Sequence, residues 1–172
     1  MGISTLVFVL SGAEHTAVFL RPSEGDALLE YCSARNIDTS ALRLLSGPSD
    51  ELLPRIGFEG LLDVMWVDGS HAFPFPFFDW YYGCRSLRAG GLLVVDDTQL
   101  PAPAYLAAVL AADRRWSTVS RRKNWAAFER LTDHDLREEW TEQRHSGLEI
   151  AARAAWSVAS SAPRHVLGRL RK

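Results

Sequence analysis

The sequence is poor in two residue types that often indicate a particular kind of site, cysteine and lysine. Its 172 residues include two cysteines, Cys32 and Cys84, which stand far apart and lack the close spacing of a metal site. We interpret both as reduced, buried thiols of a cytosolic protein. Two of the 19 basic residues are lysines, and the net charge is -2. The charge balance therefore gives no reason to expect a nucleic-acid partner.

Long apolar runs are also missing. No run approaches the roughly 20 residues that a membrane span needs. The apolar stretch Thr5–Leu10 is short and has no basic flank, so it does not fit a signal peptide. These absences predict a cytoplasmic protein without membrane contact.

The composition itself is that of a folded domain. Hydrophobic residues make up 47% of the chain and charged residues 23%, which excludes the disordered class. The chain is long enough for one domain with a sizeable core.

Short apolar runs alternate with amphipathic stretches as far as Leu131. The predicted strands are Thr16–Leu20, Ala41–Leu45, Leu62–Val67, Leu92–Val95, Trp116–Arg121 and Trp125–Leu131. The predicted helices are Glu24–Arg35 with Ser23 as N-cap, Ser49–Ile56, Phe77–Leu87 ended by Ala89-Gly90-Gly91, and Pro103–Ala112. This order predicts an α/β fold with a Rossmann-like, doubly wound, mostly parallel sheet and an antiparallel hairpin at one edge. The apolar run Leu62–Val67 is typical of a strand covered on both faces.

Residues 132–172 form a helical extension to the α/β domain 1–131. Two helices are predicted in it, Asp133–Arg144 and Leu148–Ala159, with a joint at Ser160–Pro163 and a basic end at Arg164–Lys172. The extension either packs on the sheet, covers a site or serves a homo-oligomer, and its basic end is expected to be solvated.

Acidic side chains follow two of the predicted strands. Val67 is followed by Asp68-Gly69-Ser70-His71, and Val95 by Asp96-Asp97-Thr98. Because ligands of open α/β sheets bind at the carboxyl ends of the strands, we expect these side chains to meet at one rim. Clustered carboxylates repel one another, and Mg²⁺ held by Asp68, Asp96 and Asp97 would remove that repulsion. The alternative is that these aspartates serve turns and helix caps, but the pair of motifs favours the metal site.

The segment that follows the first motif has two interpretations as well. His71 is either a general base that works near neutral pH or a brace for its loop, and we favour the base. Six of the aromatic residues that follow it are expected to pack mainly in the core, with Phe73 or Phe75 available to line a substrate pocket: Phe73, Phe75, Phe77, Phe78, Trp80 and Tyr81.

At the two motifs, Asp68-Gly69-Ser70-His71 and Gly90–Asp97, the sequence resembles a family. It is similar to class I S-adenosylmethionine-dependent O-methyltransferases of the catechol type, and more closely to bacterial methyltransferases with a D-G-x-H motif. The segment Gly47–Pro54 resembles the family's G-x-S-x-x-x-L-P stretch, and Gly2–Thr5 resembles the end of its glycine-rich first motif. About Gly2 to Leu131 can be aligned with the family.

The resemblance implies a role for each of these positions. S-adenosylmethionine would be the methyl donor, and Mg²⁺ would be held by Asp68, Asp96 and Asp97. His71 would take the proton of the acceptor hydroxyl, and Asp68 would share in catalysis and donor binding. The donor would lie between two further groups, which are Gly47, Pro48 and Ser49 near the adenine and Gly2, Ser4 and Thr5 near the methionine end. The acceptor would be a small hydroxylated molecule such as a catechol, a sugar or a natural-product phenol.

The sequence departs from the family at two places. The acid that takes the donor's ribose hydroxyls is replaced by Leu20-Arg21, and the first strand and first glycine have no counterpart before Gly2. These departures suggest either a chain with a further upstream segment or a degenerate protein that no longer binds the donor well.

Three hypotheses follow from these residues. The first is a metal-assisted O-methyltransferase, carried by Asp68, His71, Asp96 and Asp97. The second is a non-catalytic binding module with the same fold, suggested by the two departures. The third and weakest is a nicotinamide-dependent oxidoreductase, because no G-x-G-x-x-G follows a first strand. Fold alone does not choose among them.

Overall fold

The computed structural model describes residues 3–56, 62–132 and 147–161. The chain forms two compact units, Met1–Ile56 and Gly57–Lys172. The predicted boundary after Leu131 falls inside the second unit and stays a prediction.

The first unit pairs two parallel strands and carries three helices. In chain order these are α1 (Ile3–Leu10), β1 (His15–Phe19), α2 (Pro22–Ser33), β2 (Leu42–Ser46) and α3 (Ser49–Leu52). Strands β1 and β2 pair from His15 opposite Leu42 to Phe19 opposite Ser46. Helix α2 buries Leu28 and Cys32, and its Gly25 lies so close to the Phe19 ring that an added Cβ would come within 2.5 Å. The unit thus has the strand–helix–strand form that the apolar alternation predicts.

Three local details of this unit differ from the sequence prediction. The sequence pattern predicts no helix at Ile3–Leu10, where α1 lies. Ser23 is not the N-cap of α2, because the helix begins at Pro22 behind Arg21, whose side chain makes no capping bond. Proline has its φ angle preset for the first helical position, so the helix starts there. Helix α3 ends at Leu52, before Pro54.

The second unit is a four-stranded sheet with helices packed on it. Its elements are β3 (Leu62–Val67), α4 (Phe75–Gly83), a 3-10 turn (Cys84–Ser86), β4 (Leu87–Asp96), α5 (Pro101–Ala112), β5 (Trp116–Arg121), β6 (Trp125–Arg130) and α6 (Gly147–Ser161). The strand order is β3-β4-β6-β5. Strands β3 and β4 are parallel, whereas β6 runs antiparallel to both β4 and β5. The predicted Rossmann-like α/β class and its antiparallel edge hairpin are confirmed.

The core of the second unit lies between this sheet and helix α5. Its most buried large side chains include Leu93, Leu106, Leu110 and Phe128, each at most 1% exposed. Helix α6 adds a second contact by placing Ile150 and Ala154 against small residues of α5, namely Ala104 and Ala108. The predicted helix Leu148–Ala159 is therefore present and packed on its own unit, whereas the predicted helix Asp133–Arg144 and the basic end Arg164–Lys172 lie outside the described residues.

The predicted end of the helix Phe77–Leu87 is wrong. The helix predicted over Phe77–Leu87 ends at Gly83, and Ala89-Gly90-Gly91 lies inside β4 rather than at a helix stop. Gly90 has a φ of +74°, and a Cβ on Gly91 would lie 2.8 Å from the Arg88 carbonyl oxygen. The glycines therefore allow an irregular strand, which fits the shift of register against β3 in this region.

Strand β3 is less covered than its apolar sequence suggests. Within the second unit it is the edge strand of the sheet, and Val64 and Trp66 are 38% and 39% exposed.

Among the described residues, no helix is long and apolar enough to cross a membrane.

Candidate functional site

The two acidic motifs meet because their strands are neighbours. In the parallel pair β3–β4, Val67 stands opposite Val95. Asp68 and Asp96 directly follow these two residues, so both motifs begin at the same level of the sheet. The predicted convergence at one rim is therefore present within the second unit.

Three side chains form a tight group at this rim. The ligand atoms of Asp68, His71 and Asp97 all lie within 4.8 Å of one another. The His71 Nε2 atom is 3.0 Å from Asp97 Oδ2 and 3.9 Å from Asp68 Oδ1. All three side chains are between 31% and 38% exposed, so the group is open to a ligand from solvent. We refer to these residues as the rim cluster.

The imidazole contributes an atom that lacks a hydrogen bond. Nε2 of His71 is itself buried, and it forms no hydrogen bond within the described part of the chain. Its 3.0 Å contact with Asp97 lacks the direction that a ring N–H donor needs, although the two atoms are near enough to attract when the ring is charged. Because Nε2 lies within 4 Å of oxygens of both carboxylates, the three residues suit a shared proton or cation.

A second set of contacts holds Asp97 in place. Its backbone is in the left-handed region, with a φ of +49°, and its N–H donates to Asp96 Oδ1 at 2.8 Å. Gln99 Nε2 donates to the other carboxylate oxygen, Asp97 Oδ1, at 2.5 Å. Asp97 is therefore fixed by Gln99 on one side and faces His71 with its remaining oxygen.

Asp96 lies outside the rim cluster, and its metal role stays a prediction. One of its oxygens is turned toward the backbone of Asp97. Gln99, by contrast, has no signal in the sequence that indicates its contact with Asp97. No pattern marks a glutamine two residues after an acidic pair as the partner of one member.

The electrostatics of the rim match the expected crowding of negative charge. Burial raises the pKa of Asp68 above its ordinary value, and the nearby charges of Asp96 and Asp97 raise it further, while His71 acts in the opposite direction. A carboxylate whose charge is disfavoured in this way gains from a bound cation.

The residues of the rim cluster fit a divalent cation. Two carboxylates suit Mg²⁺ or Mn²⁺, and an imidazole nitrogen is also an acceptable ligand for Mn²⁺. The buried Nε2 atom without a hydrogen bond and the raised pKa of Asp68 are the two features that such an ion would relieve.

A largely apolar cavity adjoins the imidazole. It has a volume of about 430 Å³ and is lined by His71, Ala72, Phe73, Pro101, Ala102 and Tyr105. This volume is within the range of small-molecule sites. Phe73 is 72% exposed, and the Phe77 ring packs at 6.0 Å from Phe73 and 5.7 Å from Tyr105. Of the two phenylalanines predicted to line a pocket, Phe73 lines this one, whereas the Phe75 ring packs against Phe78 at 6.3 Å.

The residues expected near the methyl donor belong to the first unit. Ser4 and Thr5 lie on α1, and Gly2 is outside the described residues. Gly47, with a φ of +145°, and Pro48 connect β2 to α3, which begins at Ser49. The segment follows the carboxyl end of β2, where a ligand of an α/β sheet is expected, and its donor role stays a prediction.

Comparison with known proteins identifies the fold. No protein-family model matches the sequence, and no curated protein sequence matches it. Among solved structures, the Podospora anserina methyltransferase PaMTH1, determined with S-adenosylhomocysteine bound, is similar with a TM-score of 0.54 and 17% identity over 70% of this chain and 62% of that protein. A Staphylococcus aureus protein assigned provisionally as a caffeoyl-CoA O-methyltransferase has a TM-score of 0.55 and 11% identity over 67% and 63%.

A third similar structure is a Haemophilus influenzae protein assigned provisionally as a methylase, with a TM-score of 0.52 and 13% identity over 68% of this chain and 72% of that one. The chain spans less than two thirds of the length of the first two proteins. At these identities the likeness establishes the fold alone, a Rossmann-like α/β fold that this chain shares with the three structures.

Proposed function

We propose that this chain is a methyltransferase that transfers the methyl group of S-adenosylmethionine to a hydroxyl of a small molecule with the help of a divalent cation. The observation that carries the proposal is the rim cluster, in which Asp68, His71 and Asp97 bring their ligand atoms within 4.8 Å at the strand ends of a methyltransferase fold. The proposal includes the residues expected to bind the methyl donor, which are Gly47, Pro48 and Ser49 together with Gly2, Ser4 and Thr5.

Each residue of the cluster has a distinct part in the proposed reaction. Asp68 and Asp97 hold the cation, and Asp96 completes its surroundings. When bound, the cation would supply Lewis-acid chemistry that lowers the pKa of the acceptor hydroxyl. Nε2 of His71 takes the hydroxyl proton, because His71 lines the cavity and this nitrogen forms no hydrogen bond with the described residues.

The cavity beside His71 receives the acceptor. Its apolar wall at Phe73 and Tyr105 holds the body of the molecule, and the imidazole stands at the polar end. Holding the acceptor hydroxyl and the donor methyl group in line would supply most of the rate acceleration of the methyl transfer.

The experiment begins with calorimetric titration of S-adenosylhomocysteine into the chain, with and without Mg²⁺. Transfer of labelled methyl groups from S-adenosylmethionine to a panel of phenols and sugars follows. Asp68→Asn should remove the Mg²⁺-dependent part of the activity without unfolding the protein. Asp63→Asn is the control, because Asp63 lies on β3, the strand that Asp68 follows, is 76% exposed and pairs with Arg88. Equal rates for the two variants would exclude the metal role of Asp68.

The variant His71→Ala distinguishes a role of His71 as general base from a role as metal ligand. If His71 is the base, His71→Ala should lower kcat by about 10²- to 10⁴-fold and leave Mn²⁺ affinity unchanged. A large loss of Mn²⁺ affinity would instead make His71 a ligand of the ion.

A second candidate function is a non-catalytic binding module with a methyltransferase fold. It is favoured by the residues that follow β1, where Leu20, 64% exposed, and Arg21 occupy the place of the expected acid. The nearest following carboxylate is Glu24 in the first turn of α2. A folded chain that binds neither S-adenosylhomocysteine nor Mn²⁺ would support this candidate.

A further inference from the structure

A buried carboxylate contacts the loop that carries two members of the rim cluster. Asp79 lies within α4, the helix that follows this loop, and is 6% exposed. Aspartate is rarely buried to this extent unless neighbouring groups hold its charge. The burial of Asp79 therefore indicates a specific contact.

One close neighbour of this carboxylate is the backbone at Gly69. A Cβ added to Gly69 would lie 2.7 Å from Asp79 Oδ2 and 3.8 Å from Asp79 Cγ, whereas real Cβ atoms essentially never approach another heavy atom within 3.0 Å. The carboxylate thus occupies the space that any side chain at this position would need. Gly69 follows Asp68 directly and stands two residues before His71.

We infer that Asp79 is a positioning residue that fixes the Asp68–His71 loop and thereby sets the distance between the Asp68 carboxylate and the His71 imidazole. The inference deepens the proposed function and rests on it where metal binding and activity are concerned. Residues behind a metal site commonly act in this way, because the ligands must be held within a few tenths of an ångström.

Position matters here because the loop side chains are themselves partly exposed. Asp68 and His71 are 38% and 36% exposed, so packing around them restrains them only in part. Gly69 lies between the two residues, so the Asp79 carboxylate that packs against its backbone restrains both at once.

The chain offers a matched carboxylate for comparison. Asp113 is 7% exposed and lies in the same unit, at the end of α5. Its oxygens accept hydrogen bonds from the Arg115 backbone N–H at 2.9 Å and from the Arg115 guanidinium at 2.7 to 3.0 Å. It does not belong to the rim cluster. A purely structural role for Asp79 predicts that Asp79→Asn behaves like Asp113→Asn.

The test compares these two variants with the unaltered chain in three measurements. These are the thermal midpoint, the amide hydrogen exchange of Gly69 and Ser70 by NMR, and the affinity for Mn²⁺ alone by electron paramagnetic resonance. Gly69→Ala is a second variant that disturbs the same contact from the loop side, in case Asp79→Asn fails to fold.

We expect Asp79→Asn to speed exchange at Gly69 and Ser70 and to weaken Mn²⁺ binding by about 10-fold or more. Asp113→Asn should lower the thermal midpoint while both other quantities stay as in the unaltered chain. Asp79→Asn with unchanged exchange, or with changes that follow those of Asp113→Asn, overturns the inference. If the unaltered chain binds no Mn²⁺, the metal part of the proposed function fails, and the exchange of Gly69 and Ser70 alone decides the role of Asp79.

Discussion

Adding one methyl group at Gly69 is a direct perturbation of the rim cluster. The new Cβ would lie 2.7 Å from Asp79 Oδ2, and ordinary contact begins at 3.4 Å, so the two groups must separate by 0.7 Å (3.4 minus 2.7). Overpacking of this kind destabilises by about 1–3 kcal/mol. For a chain of this size, each kcal/mol lowers the thermal midpoint by roughly 2–4 °C. Gly69→Ala should therefore lower the midpoint by between about 2 and 12 °C.

A double-mutant cycle assigns this loss to the contact itself. Asp79→Ala removes the carboxylate, so the methyl group of Gly69→Ala has room in that background. The stability cost of Gly69→Ala should then fall to within about 0.5 kcal/mol of zero, measured by urea denaturation of all four proteins. If Gly69→Ala costs the same free energy of unfolding with and without the Asp79 carboxylate, the contact is not the cause and the reasoning is refuted.

Two further predictions concern the rim and the cavity. The raised pKa of Asp68 means that the folded chain holds this proton to higher pH than the unfolded chain, so the metal-free protein loses stability as pH rises from the ordinary value of 3.8 through the folded pKa. Asp68→Asn should therefore gain stability over the unaltered protein with rising pH in thermal scans with a chelator, and a constant difference would contradict the shift. Phe73→Ala should change the free energy of unfolding by no more than about 0.5 kcal/mol, because the side chain is 72% exposed, yet raise the acceptor KM with kcat retained. Trp156→Ala, 75% exposed on α6 and not lining the cavity, is its control, and equal KM values for the two variants would remove Phe73 from the acceptor site.

The strands could be predicted from the sequence, but the end of α4 could not. Short apolar runs rich in β-branched and aromatic residues and bounded by turn residues indicate most of the strands, although the apolar run Ile3–Leu10 forms helix α1. Helix α4 ends where the carbonyl oxygens of Cys84 and Leu87 accept hydrogen bonds from the Arg130 guanidinium, which is 4% exposed on β6. This contact spans 43 residues or more, so no local pattern around Gly90 reveals it. Gly90-Gly91 predicts a helix stop, but glycines also occur in irregular strands, and here they lie in β4.

The location of the candidate site could be predicted, but not which of its aspartates lie together. Strand ends locate Asp68, Asp96 and Asp97 at one rim because β3 and β4 are parallel neighbours. Consecutive residues tend to point in different directions, so one member of the Asp96-Asp97 pair faces the cluster more easily than both. The left-handed backbone at Asp97 decides between them, and neither this φ angle nor the Asp79 contact has a signature in the sequence.

The two buried cysteines are natural probes of local opening, one in each unit. Cys32 is 1% exposed in the first unit and Cys84 is 0% exposed in the second. Burial raises the pKa of Cys84 to about 12, so a thiol reagent can modify it only when its surroundings open. Because the chain has no other thiols, the two labelling rates, resolved by mass spectrometry of peptides, report the opening of each unit separately. A bound donor or cation should slow the labelling of the cysteine in the unit that it stabilises.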